Sequence, residues 1–347
     1  MTGGGKMPEV SFIVSNYKTP VEQLKASLDS MLGQSFTDFE IVAVNDGCED
    51  GSSELLREYA RRHDNIRLIE NERNSGLPYS LNRALDACGG RYAARMDTDD
   101  ICLPDRLEKQ VRFMDANPEL LFSGAWALRF TDDPDSDVEP WQPVMCGWEE
   151  YRIRLLLDSA PLMIHPTVIF RTGLLNKAGL RYSEDEAHRY CEDYEFWTRC
   201  SRCGRGDILR EPVIRYRDSE NGFRLTVNKA EEMYNCRCNV LNGLFSELGI
   251  ELTREQTALA QRCLNGRKAY TKEYKRLFDT IIKQNKKYRL YDGDVLETLL
   301  KNKWYEIVYY GIAYDGSYPG KLKKALSFYP EQYRAFIRTA AGKLKQE

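Results

Sequence analysis

The chain has 347 residues, 42% hydrophobic and 30% charged, with a formal net charge of -3. That length and composition suit one large domain with an appendage, or two modest domains. They give no basic surplus of the kind that marks a nucleic-acid partner, and no run approaches the roughly 20 apolar residues of a membrane-spanning helix.

The first hundred residues alternate short apolar runs with amphipathic ones. Residues 10–14 read as a strand, and 20–32 as a helix with Val21, Leu24, Leu28 and Met31 at helical spacing. A second strand, 39–44, ends at Asn45-Asp46-Gly47, and the helix at 53–62 has Ser52 or Ser53 as a cap. A strand at 66–70, a helix at 80–88 stopped by Gly89-Gly90, and a strand at 92–96 ending at Asp97 complete the series. Such alternation predicts an α/β fold with a mostly parallel sheet flanked by helices. Its ligands belong at the carboxyl ends of the strands.

Farther on, residues 131–143 are acidic and Pro-rich and read as a surface loop. Helices are expected at 151–157 and 192–203, strands at 168–170 and 209–217, and almost continuous helix from 227 onward. Ten cysteines are scattered through the chain, and the first seven residues are polar and Gly-rich with no signal-peptide pattern after them. A cytoplasmic protein with reduced thiols is therefore expected. Cys200-x-x-Cys203 followed by Cys236-x-Cys238 lacks the regular paired spacing of a zinc site.

Four segments carry chemistry. Asp97-Thr98-Asp99-Asp100 follows an apolar strand. Residues two apart in extended backbone share a side, so Asp97 and Asp99 can present two carboxylates to one Mn2+ or Mg2+ ion. An acidic turn before the next helix accounts for the same residues. Asp46 can accept from a base edge while Tyr17, at the end of the first strand, lies against the base face. An ordinary strand-to-helix turn rich in Asn, Asp and Gly accounts for Asn45–Gly47 without any ligand. Asn74, Gly76, Asn82 and Arg83 surround a helix start whose free N–H groups suit phosphate. Lastly, Asp193 is a candidate general base for an acceptor hydroxyl, with Glu192 and His165 as acceptor or phosphate contacts. Helix-dipole stabilisation of the acid pair and a structural histidine are the plainer alternatives.

In this order the segments resemble the family 2 glycosyltransferases of GT-A fold. The resemblance runs from about Glu9 to Asp218 through Tyr17, Gln34-Ser35-Phe36, Asp38–Val42, Asp46-Gly47, Asn74, Gly76, Asn82, Ala84, Gly90-Arg91-Tyr92, Asp97–Asp100, Pro104–Leu107, His165-Pro166-Thr167 and Glu192-Asp193. It implies that Asp46 contacts the base of a nucleotide-sugar, that Asp97 and Asp99 belong to the metal and diphosphate site, and that Asp193 is the base of an inverting displacement. Where the family often carries two acids, this chain has Asn45-Asp46, and where it often carries Pro-x-Tyr-Asn, it has Ser15-Asn16-Tyr17-Lys18. Processive members carry membrane helices and a Gln-x-x-Arg-Trp motif, both absent here. The resemblance thus implies transfer of a single sugar, with a UDP-sugar as donor and a glycan or lipid-linked acceptor, in surface polysaccharide synthesis. The catalytic domain is expected over residues 8–221 and a mainly helical region over 222–347.

That second region is basic. Gln261 to Glu347 holds 19 Lys/Arg against 9 Asp/Glu. At its end, residues 318–347 place Leu322, Leu326 and Tyr329 at helical spacing among lysines, a pattern suited to an anionic membrane surface on the inner face of the cell membrane or to packing on the catalytic domain. The rival enzyme class, nucleotidyltransferases acting on sugar phosphates, needs a Gly-rich basic first loop, and residues 15–20 have no glycine. A non-catalytic sugar-nucleotide-binding protein does not require two carboxylate sites.

Overall fold

The computed structural model describes residues 7–131, 133, 135, 138–143, 147–218, 229–264 and 271–315. The basic segment at 318–347 and parts of the 131–143 loop lie outside them. Among the described residues the chain forms two compact units, one of residues up to Trp148 together with Pro161–Cys236, the other of Glu149–Ala160 together with residues from Arg237 onward.

The first unit is built on a nine-stranded sheet. Its strands are β1 (Val10–Asn16), β2 (Phe39–Asn45), β3 (Ile66–Glu70), β4 (Tyr92–Met96), β5 (Ile101–Cys102), β6 (Leu120–Phe130), β7 (Glu139–Trp141), β8 (Ile169–Arg171) and β9 (Arg205–Arg217). Their order is β3-β2-β1-β4-β8-β6-β9-β5, with β7 on β6. The first four strands are parallel, and β8 enters antiparallel between β4 and β6. Phe12, Ile13, Ile41, Val42, Ala93 and Ala94 are all buried. Adjacent residues can all be buried only where both sheet faces are covered, which explains apolar runs in place of alternation.

Helices α1 (Val21–Leu32), α2 (Gly51–Arg62), α3 (Leu77–Ala87) and α4 (Arg106–Ala116) provide that cover. In α1, Leu24, Leu28 and Met31 form the buried stripe, and the Gly33 amide closes the helix on the Asp29 carbonyl. The cap of α2 is Asp50 and not Ser52 or Ser53: its carboxylate accepts from both of their amides, at 3.0 and 3.4 Å. The strand β6, eleven residues long, is absent from the sequence-based expectation. Ser123-Gly124 interrupts its apolar run, and burial on both sides removes the period-2 signal. Helices α5 (Trp148–Asp158), α6 (Thr172–Lys177) and α7 (Glu192–Cys203) follow.

The second unit comprises most of α5, the later part of α8 (Ala230–Glu247), then α9 (Arg254–Leu264), α10 (Thr271–Tyr288) and α11 (Gly293–Asp315). Ile153, Leu156, Leu241, Phe245, Phe278, Ile281, Leu300 and Trp304 are fully buried in it. Lys303 pairs with Asp158 at 3.1 Å and Arg152 donates to the Leu290 carbonyl at 2.8 Å, fastening the α5 segment to α10–α11. No described helix is long and apolar enough to cross a membrane.

Candidate active site

The register of the sheet places the chemistry. Asn16 pairs with Asn45, Val14 with Met96 and Asn45 with Glu70, so β1 to β4 end at one level. Tyr17, Asp46, Asn71 and Asp97 each follow within a residue of those ends. This is the carboxyl edge at which open α/β sheets bind ligands.

On one side of the edge lies the loop between β3 and α3. Asp46 is 1% exposed. Its Oδ1 accepts from Asn71 Nδ2 at 2.7 Å and the Ser75 amide at 2.8 Å, and its Oδ2 accepts from the Gly76 amide at 2.9 Å. The carboxylate expected to meet a base edge is thus also the anchor of the 71–76 loop. Gly47 makes the approach possible: at φ +70 its missing side chain would lie 2.2 Å from the Arg73 backbone carbon. Asn45 closes the turn, with Nδ2 donating to the Cys48 carbonyl at 3.0 Å and Oδ1 accepting the Cys48 amide at 3.3 Å. An aspartate cannot make the first of these bonds.

Tyr17 is 47% exposed beside this loop's strand ends, with Lys18 Nζ 5.3 Å from its ring centre. Asn74 is exposed, and Gly76, at φ +90, precedes the first residue of α3. Arg83 reaches back to the Glu70 carbonyl at 2.9 Å and to Asn71 Oδ1 at 2.5 Å, so it buttresses the loop through Asn71. Asn82 turns elsewhere. It donates to the Tyr182 carbonyl at 3.0 Å and to Glu184 at 2.8 Å, and accepts the Tyr182 amide at 2.8 Å. Its side chain braces the segment leading to α7. Asn71, which no motif marks, belongs to this group; its place one residue beyond β3 is its signal in the sequence.

On the other side, Asp97, Asp99 and Asp100 bring carboxylate oxygens within 4.8 Å of one another. Asp99 is exposed and Asp100 buried. The Arg217 amide donates to Asp100 Oδ1 at 2.8 Å, while Asp100 Oδ2 is buried without a hydrogen-bond partner among the described residues. Although Asp99 reaches solvent, the protein packed around its carboxyl withdraws water from it, and this with the charge of Asp97 pushes it up to about 6; burial followed by the charges of Asp99 and Asp97 drives Asp100 well above the carboxylate range. An orphaned buried oxygen among three clustered carboxylates fits a hard divalent cation, which takes oxygen ligands.

Beneath the cluster are two buried arginines. Arg95 on β4 is 2% exposed, and its Nη1 forms an ion pair with Asp97 Oδ2. Burial opposes its charge, but Asp97 outweighs that and raises its pKa. Arg106 at the start of α4 is fully buried: Nη2 donates to the Arg95 carbonyl at 2.6 Å and Nε to Gln110 Oε1 at 3.0 Å. Gln110 in turn donates to the Thr167 carbonyl at 2.7 Å, which fixes the His165-Pro166-Thr167 turn.

The first turn of α7 presents Glu192 and Asp193. Fully buried Phe196 and Trp197 set this helix in place, Trp197 stacking on Phe122 of β6 at 5.8 Å and Phe196 on Tyr182 at 4.1 Å. Tyr190 enters the turn with φ +71, a strained conformation for a bulky residue. Asp193 Oδ1 accepts the Tyr194 amide at 2.7 Å. Burial and then the charge of Asp193 push Glu192 up to about 7, and Arg95 and Asp97 are both near enough to act on it. His165 bonds Tyr182 Oη through Nε2 at 2.9 Å and meets the Trp197 ring edge at 5.7 Å. Burial, then the Arg95 charge, hold it well below the usual imidazole range, so it is neutral.

Eight cysteines are described, all as free thiols. Cys236 donates to the Arg189 carbonyl and Cys238 to Gln261 Oε1. Among the described residues the aspartate trio is the grouping with metal-ligand geometry.

Comparison with known proteins agrees with this geometry. The model of glycosyl transferase family 2 matches residues 11–179. The chain is 31% identical to an uncharacterised glycosyltransferase of Methanocaldococcus jannaschii over 237 residues, which is 68% of this chain and 79% of the relative. It is 34% identical to the amylovoran biosynthesis glycosyltransferase AmsE of Erwinia amylovora, over 56% of this chain and 70% of the relative. The fold is similar to S. aureus TarS in complex with UDP-GlcNAc, with a TM-score of 0.55 and 18% identity, covering 86% of this chain and 88% of that one. A mannosyltransferase of Pyrobaculum calidifontis in complex with GDP-Man and Mn2+ gives a TM-score of 0.51 at 15% identity, covering 89% and 88%. With the sheet, the carboxyl edge and these relatives in agreement, the chain belongs to the family 2 glycosyltransferases and is a glycosyltransferase of GT-A fold.

Proposed function

We propose that the chain moves one sugar from a nucleoside-diphosphate sugar, a UDP-sugar first among them, to a hydroxyl of a glycan or lipid-linked acceptor, with inversion, in surface polysaccharide synthesis. The observation that carries this is the aspartate trio on the same sheet edge as the Asp46-anchored loop. One end suits a nucleoside and the other suits a diphosphate with its cation.

Tyr17 offers a stacking face, and the Asp46 loop supplies base-edge groups from Asp46 and Asn74. The free amides at the start of α3 beyond Gly76 add donors for phosphate. Arg83 keeps that loop shaped through Asn71, and Asn82 shapes the acceptor side through Tyr182. Asp97 and Asp99, with Asp100, hold Mn2+ or Mg2+. A cation there supplies charge neutralisation for the departing diphosphate. Asp193 takes the acceptor proton late in the displacement, when the attacking hydroxyl has become acidic. Glu192 and His165 shape the acceptor side; neutral His165 offers a ring nitrogen for a hydrogen bond.

The UDP and GDP sugars bound by the two solved neighbours support a nucleoside-diphosphate donor. The AmsE relative supports the polysaccharide context. A cytoplasmic enzyme working at the inner face of the membrane fits both the lipid-linked acceptor and the basic tail. A screen of nucleotide-sugars for Mn2+-dependent binding and slow hydrolysis tests this reading. We expect a UDP-sugar to be hydrolysed with metal and spared in chelator. Binding of no nucleotide-sugar under either condition contradicts it.

A further inference from the structure

Arg95 is a buried cation whose position is fixed from both sides of its backbone. Its amide donates to the Val168 carbonyl at 2.8 Å, and its carbonyl accepts from Arg106 Nη2 at 2.6 Å. Its Nη1 forms an ion pair with Oδ2 of Asp97, and its Nε is buried with no hydrogen-bond partner among the described residues. The Asp97 side chain, by contrast, is 32% exposed. A charge taken out of water for one carboxylate oxygen gains little stability, and an apolar side chain of similar length commonly serves the fold as well. The arrangement therefore calls for an explanation other than stability.

Three features supply one. Arg95 and Asp97 are two apart on an extended strand end, so they share a side. Asp97 is the first of the clustered carboxylates, and among the described residues Arg95 is the cation that pairs with its carboxylate. The same guanidinium lies close enough to act electrostatically on Glu192 and His165, which come from the acceptor side. We propose that Arg95 is a positioning residue: by gripping Asp97 through Oδ2 it holds that side chain in the rotamer that closes on Asp99 and Asp100, and so sets the affinity of the cation site. This rests on the reading of the trio as a metal site. Partners that orient a metal ligand typically alter affinity by about 10–100-fold.

The test is Mn2+ binding to the full chain, measured by calorimetry with UDP present, for the native protein, Asp97→Asn, Arg95→Met, Arg95→Lys and the double variant Arg95→Met/Asp97→Asn. Arg95→Met should weaken Mn2+ by about 10–100-fold. Arg95→Lys, which keeps the charge but loses the planar fork, should fall between Met and native. In the Asp97→Asn background Arg95→Met should add little, because its action passes through Asp97. Unfolding of the metal-free variants is followed in parallel, since a merely structural role lowers their melting temperature and leaves the Mn2+ affinity of the folded protein unchanged. Should Arg95→Met not fold, the Lys variant decides. Native Mn2+ affinity in the folded Arg95 variant, with Asp97→Asn weakened, overturns the proposal alone. Native affinity in Asp97→Asn overturns the metal reading and this proposal with it.

Discussion

At the Asp46 end of the carboxyl edge, both carboxylate oxygens have donors from Asn71, Ser75 and Gly76, and the neighbouring Asn45 is satisfied at both ends of its amide. At the Asp97 end, Asp100 Oδ2 and Arg95 Nε are buried without hydrogen-bond partners among the described residues; burial and then the charge of Asp97 push Asp99 up, and burial and then the charges of Asp99 and Asp97 push Asp100 up. The two ends share residue types and strand geometry. They differ in whether the protein alone completes the electrostatics. A nucleoside is a weakly charged, shape-defined ligand, and a prebuilt loop suits it. A diphosphate with its cation is strongly charged, and a site that waits for it must leave charge uncompensated.

This contrast is sharpened first by removing the waiting charge. Asp99→Ala should lower transfer by about 10³-fold or more, as expected when several kcal/mol of charge stabilisation is lost. Its fold should survive, because Asp99 is exposed. Circular dichroism alongside a turnover assay checks both halves. Asp193→Asn comes next: transfer should fall by about 10²–10⁴-fold with donor affinity little changed. Near-native transfer in that variant moves the proton to Glu192.

Asp46→Asn attacks the satisfied end. One acceptor oxygen becomes a donor, leaving a loop amide without its partner, and stability should drop by about 1–3 kcal/mol. A weaker donor KM should accompany it, whereas Asp99→Ala should leave melting almost unchanged. If the two variants behaved alike in melting, the contrast between the ends would be lost. A further effect, of similar size, concerns pH. Glu192 is raised in the folded protein to about 7, so its contribution to stability is full below the ordinary value of 4.5 and is lost as pH rises through about 7. The loss is on the order of 1–3 kcal/mol. Denaturant melts of the metal-free protein at pH 5 and pH 8 should show it, and Glu192→Gln should shrink the difference.

Much of this architecture is legible from residue order. The β1–β4 segments are short apolar runs stopped by Asn, Asp or Gly, and the punctuation that ends each strand is also what places Tyr17, Asp46 and Asp97 on one edge. Two things hid elsewhere. The strand β6 is buried on both faces and broken by Ser123-Gly124, so neither alternation nor a clean apolar run marks it. Arg95 reads as an ordinary polar interruption in Tyr92–Met96, because burial and partners are tertiary properties with no local spacing. Asn82 illustrates the reverse: its place beside Gly76 and Arg83 suggested the donor loop, while the turn of the helix directs it to Tyr182.

The proposed role of the aspartate trio is to hold the cation on which donor chemistry depends. Its most direct measurement is hydrolysis or transfer of the active nucleotide-sugar by protein stripped with EDTA, followed by return of Mn2+ or Mg2+. Loss of turnover in chelator, recovery on adding the metal, and no recovery in Asp99→Ala are expected. Full turnover of the native protein in excess chelator would contradict it.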